Sequence, residues 1–235
     1  MAEPRHARVL ADLSDEENGA LLALQLDGHP EIVLQGGRYI IINTGLENAE
    51  GKLIKRAYSL FAPKPEAQQF FLAAAPVADG IASGYLASLK AGDVITFSGP
   101  WGRFHWPAEA EEDKMLAFAF GSGISGVLSY IATLPHGCAV EFYWYKDEYK
   151  GLVSEDIVRE CAAHVELDLH HRDMRDDPIL DLHAMDAKTR FVAAGEGTRI
   201  DRCVSFLKGC GYPESQIQTD IFYRSQDQSD AKADR

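Results

Sequence analysis

The sequence predicts an antiparallel β-barrel or sandwich in the first half of the chain and a doubly wound α/β domain in the second. Three observations support this prediction. Short apolar runs separated by turn residues fill the chain up to Ser98, an acidic segment opened by a proline follows, and strands then alternate with helices. A chain of 235 residues has the length for two domains of about 110 residues each.

In the first half, alternating or short apolar runs predict strands. Dipeptides such as Asp27-Gly28 and Gly36-Gly37 separate them, which is typical of turns. Several short strands at this spacing are typical of a barrel or a sandwich. One helix is predicted at 83–89. The predicted strands are 8–13, 21–26, 38–43, 52–60, 69–75 and 94–98.

The segment 107–113 is polar and acidic and is interpreted as a linker. After it, strands are predicted at 115–120, 140–144, 165–169, 190–194 and 218–222, with helices at 124–134, 155–163 and 200–209. This alternation predicts a mostly parallel, doubly wound sheet. The predicted domains are therefore 1–108 and 112–223. The polar tail 224–235 is expected to be disordered.

Composition excludes several classes of function. A formal net charge of -13 argues against sequence-independent binding of nucleic acid, and no run approaches the roughly 18 apolar residues of a membrane span. The first residues lack the apolar core of a signal peptide, so a cytoplasmic protein is expected. The four cysteines have no iron–sulfur spacing, and the adjacent His170 and His171 point to opposite faces of a strand, so no metal site is expected.

Two motifs in the first half suit a flat, phosphorylated cofactor. Arg56-Ala57-Tyr58-Ser59 ends a strand and offers a guanidinium for phosphate, a ring for stacking and a hydroxyl for a ring nitrogen. Gly80-Ile81-Ala82-Ser83 opens the helix, where free N–H groups bind anions. In the second half, Gly121-Ser122-Gly123-Ile124 lies between a strand and a helix. Such a turn lets the backbone approach a pyrophosphate, although glycine is also common there for geometry alone.

The order of these motifs resembles the ferredoxin–NADP reductase superfamily. R-x-Y-S at 56–59 is followed by G-x-x-S at 80–83, by G-P-x-G-x-F at 99–104 and by the glycine turn at 121–124. Residues 217–223 are similar to the closing strand of that family with its terminal aromatic residue. The likeness covers nearly the whole chain and implies an FAD-binding barrel followed by an NAD(P)-binding domain.

The resemblance implies a role for each matching residue. Arg56 would bind the flavin diphosphate, Tyr58 would stack on the isoalloxazine, and Ser59 would hydrogen-bond near the reactive flavin nitrogen. Tyr58, Ser59 and Asp220 would be the catalytic residues, and Tyr223 would contact a cofactor. The backbone at Gly80, Ile81, Ala82 and Ser83 would hold the same diphosphate, and that at Gly121, Ser122, Gly123 and Ile124 the pyrophosphate of the dinucleotide.

The sequence departs from the family on the nicotinamide side. Gly126 replaces a proline, which predicts a looser turn, and Ala194-Gly195-Glu196 replaces C-G-P, which predicts a carboxylate in the path of the dinucleotide. Arg172 is a candidate for the adenosine 2′-phosphate and favours NADPH over NADH. Lys146 is a second candidate, although its acidic neighbours favour a solvated surface turn.

The resemblance predicts an NAD(P)H-dependent FAD reductase that passes electrons singly to a separate acceptor protein: a ferredoxin, a flavodoxin or an oxygenase component. Two alternatives stay open. The chain could be a flavin-binding electron relay or sensor that has lost the use of nicotinamide, as the departures suggest, or a scaffold that binds no cofactor.

Overall fold

The computed structural model describes residues 4–14, 19–28, 32–64, 67–110, 112–146, 152–182, 185–186 and 188–223. Its first six strands close into a barrel in the order β1-β2-β5-β4-β3-β6, with every pair antiparallel. The strands are β1 (Arg5–Asp12), β2 (Ala20–Leu26), β3 (Tyr39–Glu47), β4 (Leu53–Lys64), β5 (Gln69–Ala74) and β6 (Val94–Trp101), and helix α1 (Ile81–Ser88) lies between β5 and β6. The predicted class is confirmed as a barrel.

Alternation of apolar residues along the strands fills the barrel interior. Side chains at every second position point to the same face, so Ile40 and Ile42 of β3 lie inside with Ile95 and Phe97 of β6. All four are buried. The residues between them face outward or toward the second half of the chain.

The second half forms a parallel sheet of five strands in the order β11-β10-β7-β8-β9. The strands are β7 (Lys114–Phe120), β8 (Ala139–Lys146), β9 (Glu166–Asp173), β10 (Thr189–Glu196) and β11 (Ile217–Tyr223). The helices are α2 (Ile124–Ile131), α3 (Glu155–Cys161) and α4 (Gly197–Gly209). Strands β7 and β10 are largely apolar along their middle residues and are buried on both faces, as is typical of central parallel strands.

The two faces of the sheet have different cores. Helices α2 and α3 pack on one face with Phe142 and Trp144, and barrel residues such as Phe61 and Phe104 join this cluster. Helix α4 packs on the other face with Phe118. Outward-facing barrel residues therefore share a core with one face of the sheet, whereas the barrel interior forms a cluster of its own.

Most element bounds differ from the predicted ones by a few residues, and three of the differences lie in the second half of the chain. Helix α2 ends at Ile131, helix α4 starts three residues early at Gly197, and β9 runs on to Asp173 because it pairs with β8 along its whole length. The tail 224–235 lies outside the described residues. Within the described part of the chain, no helix combines the length and the apolar character that a membrane crossing needs.

Candidate active site

A cleft of about 240 Å³ lies between the barrel and the parallel sheet. Tyr39 and Ser59 line it from the barrel, and Gly126 and Asp220 line it from helix α2 and strand β11. Ser59 and Asp220 were both predicted as catalytic residues, and the fold brings them from the two halves of the chain to one cavity. The cleft is thus shaped by both domains.

Strand β4 presents the predicted R-x-Y-S residues in alternation. Arg56 is exposed, Tyr58 is half-buried against the barrel core, and Ser59 is buried at the cleft. The Arg56 guanidinium donates to the carbonyl of its neighbour Lys55 at 2.9 Å and forms no ion pair with a described carboxylate. Burial raises the pKa of Tyr58 to about 12, so its ring stays neutral at physiological pH.

The start of helix α1 offers backbone donors. Gly80 is the N-cap residue and supplies no side-chain acceptor, and the first turn contains no acidic residue. The Ser83 hydroxyl donates to the Gly80 carbonyl at 3.0 Å, so the donors of this turn are its N–H groups rather than that hydroxyl. Helix α1 packs against strand β4, which carries Arg56.

These features fit an anionic diphosphate joined to a flat ring. The cation at Arg56 and the uncapped first turn of α1 suit the diphosphate, whereas the neutral Tyr58 ring and the Ser59 hydroxyl suit the ring system. The donor set of the barrel therefore fits FAD, which the sequence predicted.

The glycine turn after β7 is close-packed against β10. A Cβ on Gly123 would overlap the Ala194 carbonyl oxygen, and a Cβ on Gly195 would overlap the Phe120 carbonyl oxygen. Gly121 has a positive φ of 59°. Two turns at adjacent strand ends thus require glycine for packing, and this requirement is independent of any ligand.

The residues predicted to bind the pyrophosphate at this turn differ in how far their side chains are buried. The Ile124 side chain is fully buried in the core, so only its backbone could face a ligand, whereas Ser122 is half-buried and its carbonyl accepts a hydrogen bond from the Ser125 hydroxyl. The Tyr223 hydroxyl lies 3.2 Å from the position that a Cβ on Gly121 would take. Tyr223 therefore covers the glycine turn.

Solved structures share this two-part architecture. A siderophore-interacting protein from Acinetobacter baumannii superposes with a TM-score of 0.75 at 15% identity, covering 99% of this chain and 96% of that protein. A ferredoxin NADP+ reductase from Neisseria gonorrhoeae, solved with bound FAD and NADP, superposes with a TM-score of 0.72 at 17% identity, covering 95% of this chain and 100% of that protein. At such identities the likeness shows the fold.

Sequence comparison adds two matches that lie in part of the chain. The chain is 32% identical over 126 residues to the phenol 2-monooxygenase reductase component DmpP of Pseudomonas sp. strain CF600, and this match covers 53% of the chain and 33% of the relative. The chain thus spans about a third of the length of that curated relative. Residues 10–106 match the model of the oxidoreductase FAD-binding domain. The barrel thus matches the oxidoreductase FAD-binding domain, and the chain has the fold of the ferredoxin–NADP reductases. The resemblance read from the motifs is confirmed.

The structure corrects the interpretation of Gly126 in this ferredoxin–NADP reductase fold. Gly126 is a buried residue of α2 rather than part of a loosened turn, and a Cβ there would lie about 3 Å from the Phe222 ring and from the Ala194 Cβ. Gly126 and Ala194 are thus packed together as two small residues.

The structure also corrects the interpretation of Glu196. Its carboxylate accepts hydrogen bonds from the backbone N–H groups of Thr198 at 3.0 Å and Arg199 at 2.9 Å, so it caps helix α4. Only 4% of Glu196 is exposed. A carboxylate held in this way offsets the positive end of the helix instead of standing free in the path of a dinucleotide.

Arg172 is engaged by another residue. Its guanidinium donates to both carboxylate oxygens of the buried Asp181 and to the carbonyl of His171, and it lies over the Tyr143 ring. Lys146, the second phosphate candidate, lies 4.6 Å over the Trp144 ring, and burial lowers its pKa. The charge of Arg172 is therefore paired and part of its donor set is used, which weakens the case for favouring NADPH over NADH.

The sequence did not point to the residues that join the two domains at the cleft. Ser129 of α2 contacts the barrel, and Gln218 of β11 accepts a hydrogen bond from the Tyr130 hydroxyl at 2.8 Å and donates to the Arg103 carbonyl at 3.2 Å. No pattern in the sequence signals these contacts, because each joins residues far apart in the chain.

Proposed function

We propose that the protein takes a hydride from NADH or NADPH onto FAD and passes the electrons to a separate one-electron acceptor protein. A ferredoxin, a flavodoxin and an oxygenase component are the candidate acceptors, and the setting is cytoplasmic. The observation that carries the proposal is the shared cleft, where Ser59 of the FAD-binding barrel and Asp220 of the parallel sheet line one cavity.

On the FAD side, Arg56 and the first turn of α1 would hold the diphosphate, with N–H groups of Ile81, Ala82 and Ser83 as donors. Tyr58 would stack on the isoalloxazine, and the Ser59 hydroxyl would form a hydrogen bond with the edge of that ring system at the cleft. These roles are supported by the exposed cation, the uncapped helix start and the neutral ring on adjoining elements of the barrel.

On the nicotinamide side, the turn Gly121–Gly123 would receive the pyrophosphate beside Ile124, and Tyr223 would border it. The nicotinamide ring would then enter the cleft beside Asp220, whose carboxyl pKa is raised by burial. The backbone packs closely around Gly123 and Gly195, which supports a rigid turn at this position rather than a loosened one.

When bound, the flavin would supply the redox chemistry by accepting the hydride and releasing its two electrons singly. The overall reaction would oxidise one dihydronicotinamide, reduce two one-electron acceptor molecules and release one proton. The chain's own residues orient the two rings and limit water in the cleft, which is how proteins assist cofactor chemistry.

A separate acceptor is supported by the relative. DmpP is the reductase component of a phenol 2-monooxygenase, and the match to it covers about half of this chain. The four cysteines here lie at 138, 161, 203 and 210, without the close spacing of an iron–sulfur site. The proposal therefore places the one-electron carrier outside these 235 residues.

The test is anaerobic reduction of the purified protein. We expect a yellow protein that releases FAD, not FMN, on acid treatment and chromatography, since two elements are available for a diphosphate. Addition of NADH or NADPH should bleach the flavin absorbance. If the flavin is present but neither nucleotide bleaches it, the reductase proposal fails and an electron relay or sensor is the function that remains.

That second candidate is motivated by the departures of the sequence on the nicotinamide side, where Ala194-Gly195-Glu196 stands in place of C-G-P. A protein without flavin would contradict both candidates and leave the scaffold alternative.

A further inference from the structure

Ser129 joins helix α2 to the barrel by two hydrogen bonds through one hydroxyl. Its Oγ donates to the Leu60 carbonyl oxygen at 2.6 Å and accepts from the Gly37 N–H at 2.8 Å. The side chain is buried, with 1% of the residue exposed. A buried hydroxyl with both of its functions used costs free energy when either partner is removed.

The loop at Gly36 and Gly37 is shaped for this contact. A Cβ on Gly36 would overlap the Ser129 carbonyl oxygen, and the Gly37 N–H also donates to that carbonyl oxygen at 2.9 Å. One turn further along, the Thr133 hydroxyl oxygen accepts the Trp106 N–H at 2.8 Å. The same stretch of chain thus bonds to the barrel side at two successive turns.

The two ends of this junction lie beside the two halves of the cleft. Leu60 directly follows Ser59 on β4, and α2 begins directly after the glycine turn. Ser129 itself also lines the cleft. A single side chain therefore connects the strand of the FAD side to the helix of the dinucleotide side.

We propose that Ser129 is a positioning residue that sets the separation between Ser59 and the glycine turn, and so the approach of the two rings. The inference rests on the proposed reductase function and deepens it. A misplacement of reacting groups by about 1 Å can cost roughly 100-fold in rate. A residue that fixes the distance between the two domains would therefore act on the alignment of the flavin and nicotinamide rings.

The first test needs no cofactor. In Ser129→Ala, amide hydrogen exchange should accelerate at Gly37 and also at Trp106, whose own hydrogen bond to Thr133 is untouched, by roughly five- to tenfold. Acceleration at Trp106 means that α2 separates from the barrel more often. Unchanged exchange at Trp106 would overturn the proposal, because the loss would then be local to Gly37.

Thr44→Val is the matched control. The buried Thr44 hydroxyl also accepts one N–H, from Leu46 at 3.1 Å, and donates to one carbonyl, that of Ile54 at 3.0 Å, entirely within the β3–β4 hairpin. This variant should accelerate exchange at Leu46 and leave Gly37 and Trp106 unchanged. If it accelerates all three equally, general loss of stability explains the effect and the positioning role is wrong.

The second test separates alignment from binding. In stopped-flow reduction, Ser129→Ala should lower the limiting rate constant by roughly tenfold while the half-saturating nucleotide concentration changes by less than about twofold. Thr44→Val should change neither. A rise in the half-saturating concentration alone would contradict the proposal.

The experiments distinguish failure of the reductase function from failure of the positioning role of Ser129. If the wild-type flavin is not reduced, the reductase function is wrong, and the exchange experiment still decides whether Ser129 holds α2 on the barrel. If Ser129→Ala does not fold, Ser129→Cys retains the volume and a weak donor, and it should show the same changes at both amides in smaller degree.

Discussion

Asp181 binds Arg172 through both of its carboxylate oxygens, with the Arg172 Nε at 2.9 and 3.1 Å and Nη2 at 2.9 Å. The Tyr145 hydroxyl donates to the same carboxylate at 2.5 Å. The arginine that was predicted to read a 2′-phosphate is therefore a structural residue in this chain. Its pairing with Asp181 leads to a prediction about the choice between NADH and NADPH.

We predict that Asp181→Asn increases the preference for NADPH. The substitution removes the charge that neutralises Arg172, so the guanidinium becomes available to a 2′-phosphate. The ratio of kcat/KM for NADPH to that for NADH should rise by about fivefold or more, a change of roughly 1 kcal/mol. Steady-state kinetics with both nucleotides measures it.

Asp177→Asn is the control for this prediction. Asp177 lies four residues before Asp181 and pairs with Arg202 of α4 in a more exposed ion pair. Its removal should leave the ratio unchanged. An equal shift in both variants would mean that general charge, rather than Arg172, governs the choice of nucleotide.

We predict that Arg56→Ala weakens FAD binding by roughly ten- to a hundredfold. A charge-assisted hydrogen bond to a phosphate is worth roughly 1.5–3 kcal/mol, and no other described contact of Arg56 depends on its charge. The measurement is flavin retention during dialysis, followed by titration of the apoprotein with FAD. Arg8→Ala, which removes an exposed arginine paired with Asp27 in the same barrel, should retain its flavin; if Arg56→Ala does so too, the diphosphate assignment is wrong.

We predict that the rate of flavin reduction rises with pH through the pKa of Asp220. Burial raises this pKa above the usual value, so the carboxyl is neutral below it and anionic above it. In the proposed reaction an anion at Asp220 would stabilise the positive charge that develops on the nicotinamide, so the faster reaction is expected on the alkaline side.

The pH profile of kcat/KM checks this prediction. The wild-type profile should show a group that titrates above the usual aspartate range, and Asp220→Asn should abolish that step while retaining bound flavin. A profile that is the same in both proteins would remove Asp220 from the reaction.

We predict that Glu196→Ala lowers the free energy of unfolding by about 1 kcal/mol, because two N–H groups of α4 lose their acceptor. Urea unfolding measures this change. Ser154→Ala, which removes the N-cap side chain of α3, is a matched comparison and should cost a similar amount. Unchanged stability together with tighter nucleotide binding would restore the view that Glu196 repels the dinucleotide.

The sequence determined those features that arise from local pattern. Alternation along the strands predicted an antiparallel barrel or sandwich, and apolar runs between helices predicted the buried parallel strands. These patterns lie within a few residues, since the backbone period is set by neighbours in the chain. The FAD-binding side came from the resemblance, which depends on the order of motifs from 56–59 to 121–124.

Only the tertiary structure decided the partners of the polar residues. Arg172 pairs with Asp181, Glu196 caps α4, and Ser129 reaches the carbonyl of Leu60. A hydrophobic pattern shows which face of an element is buried, but it does not show which acceptor a polar side chain meets there. That acceptor depends on how distant elements pack. Here the packing changed the interpretation of Glu196 from a free carboxylate in the path of the dinucleotide to the cap of helix α4.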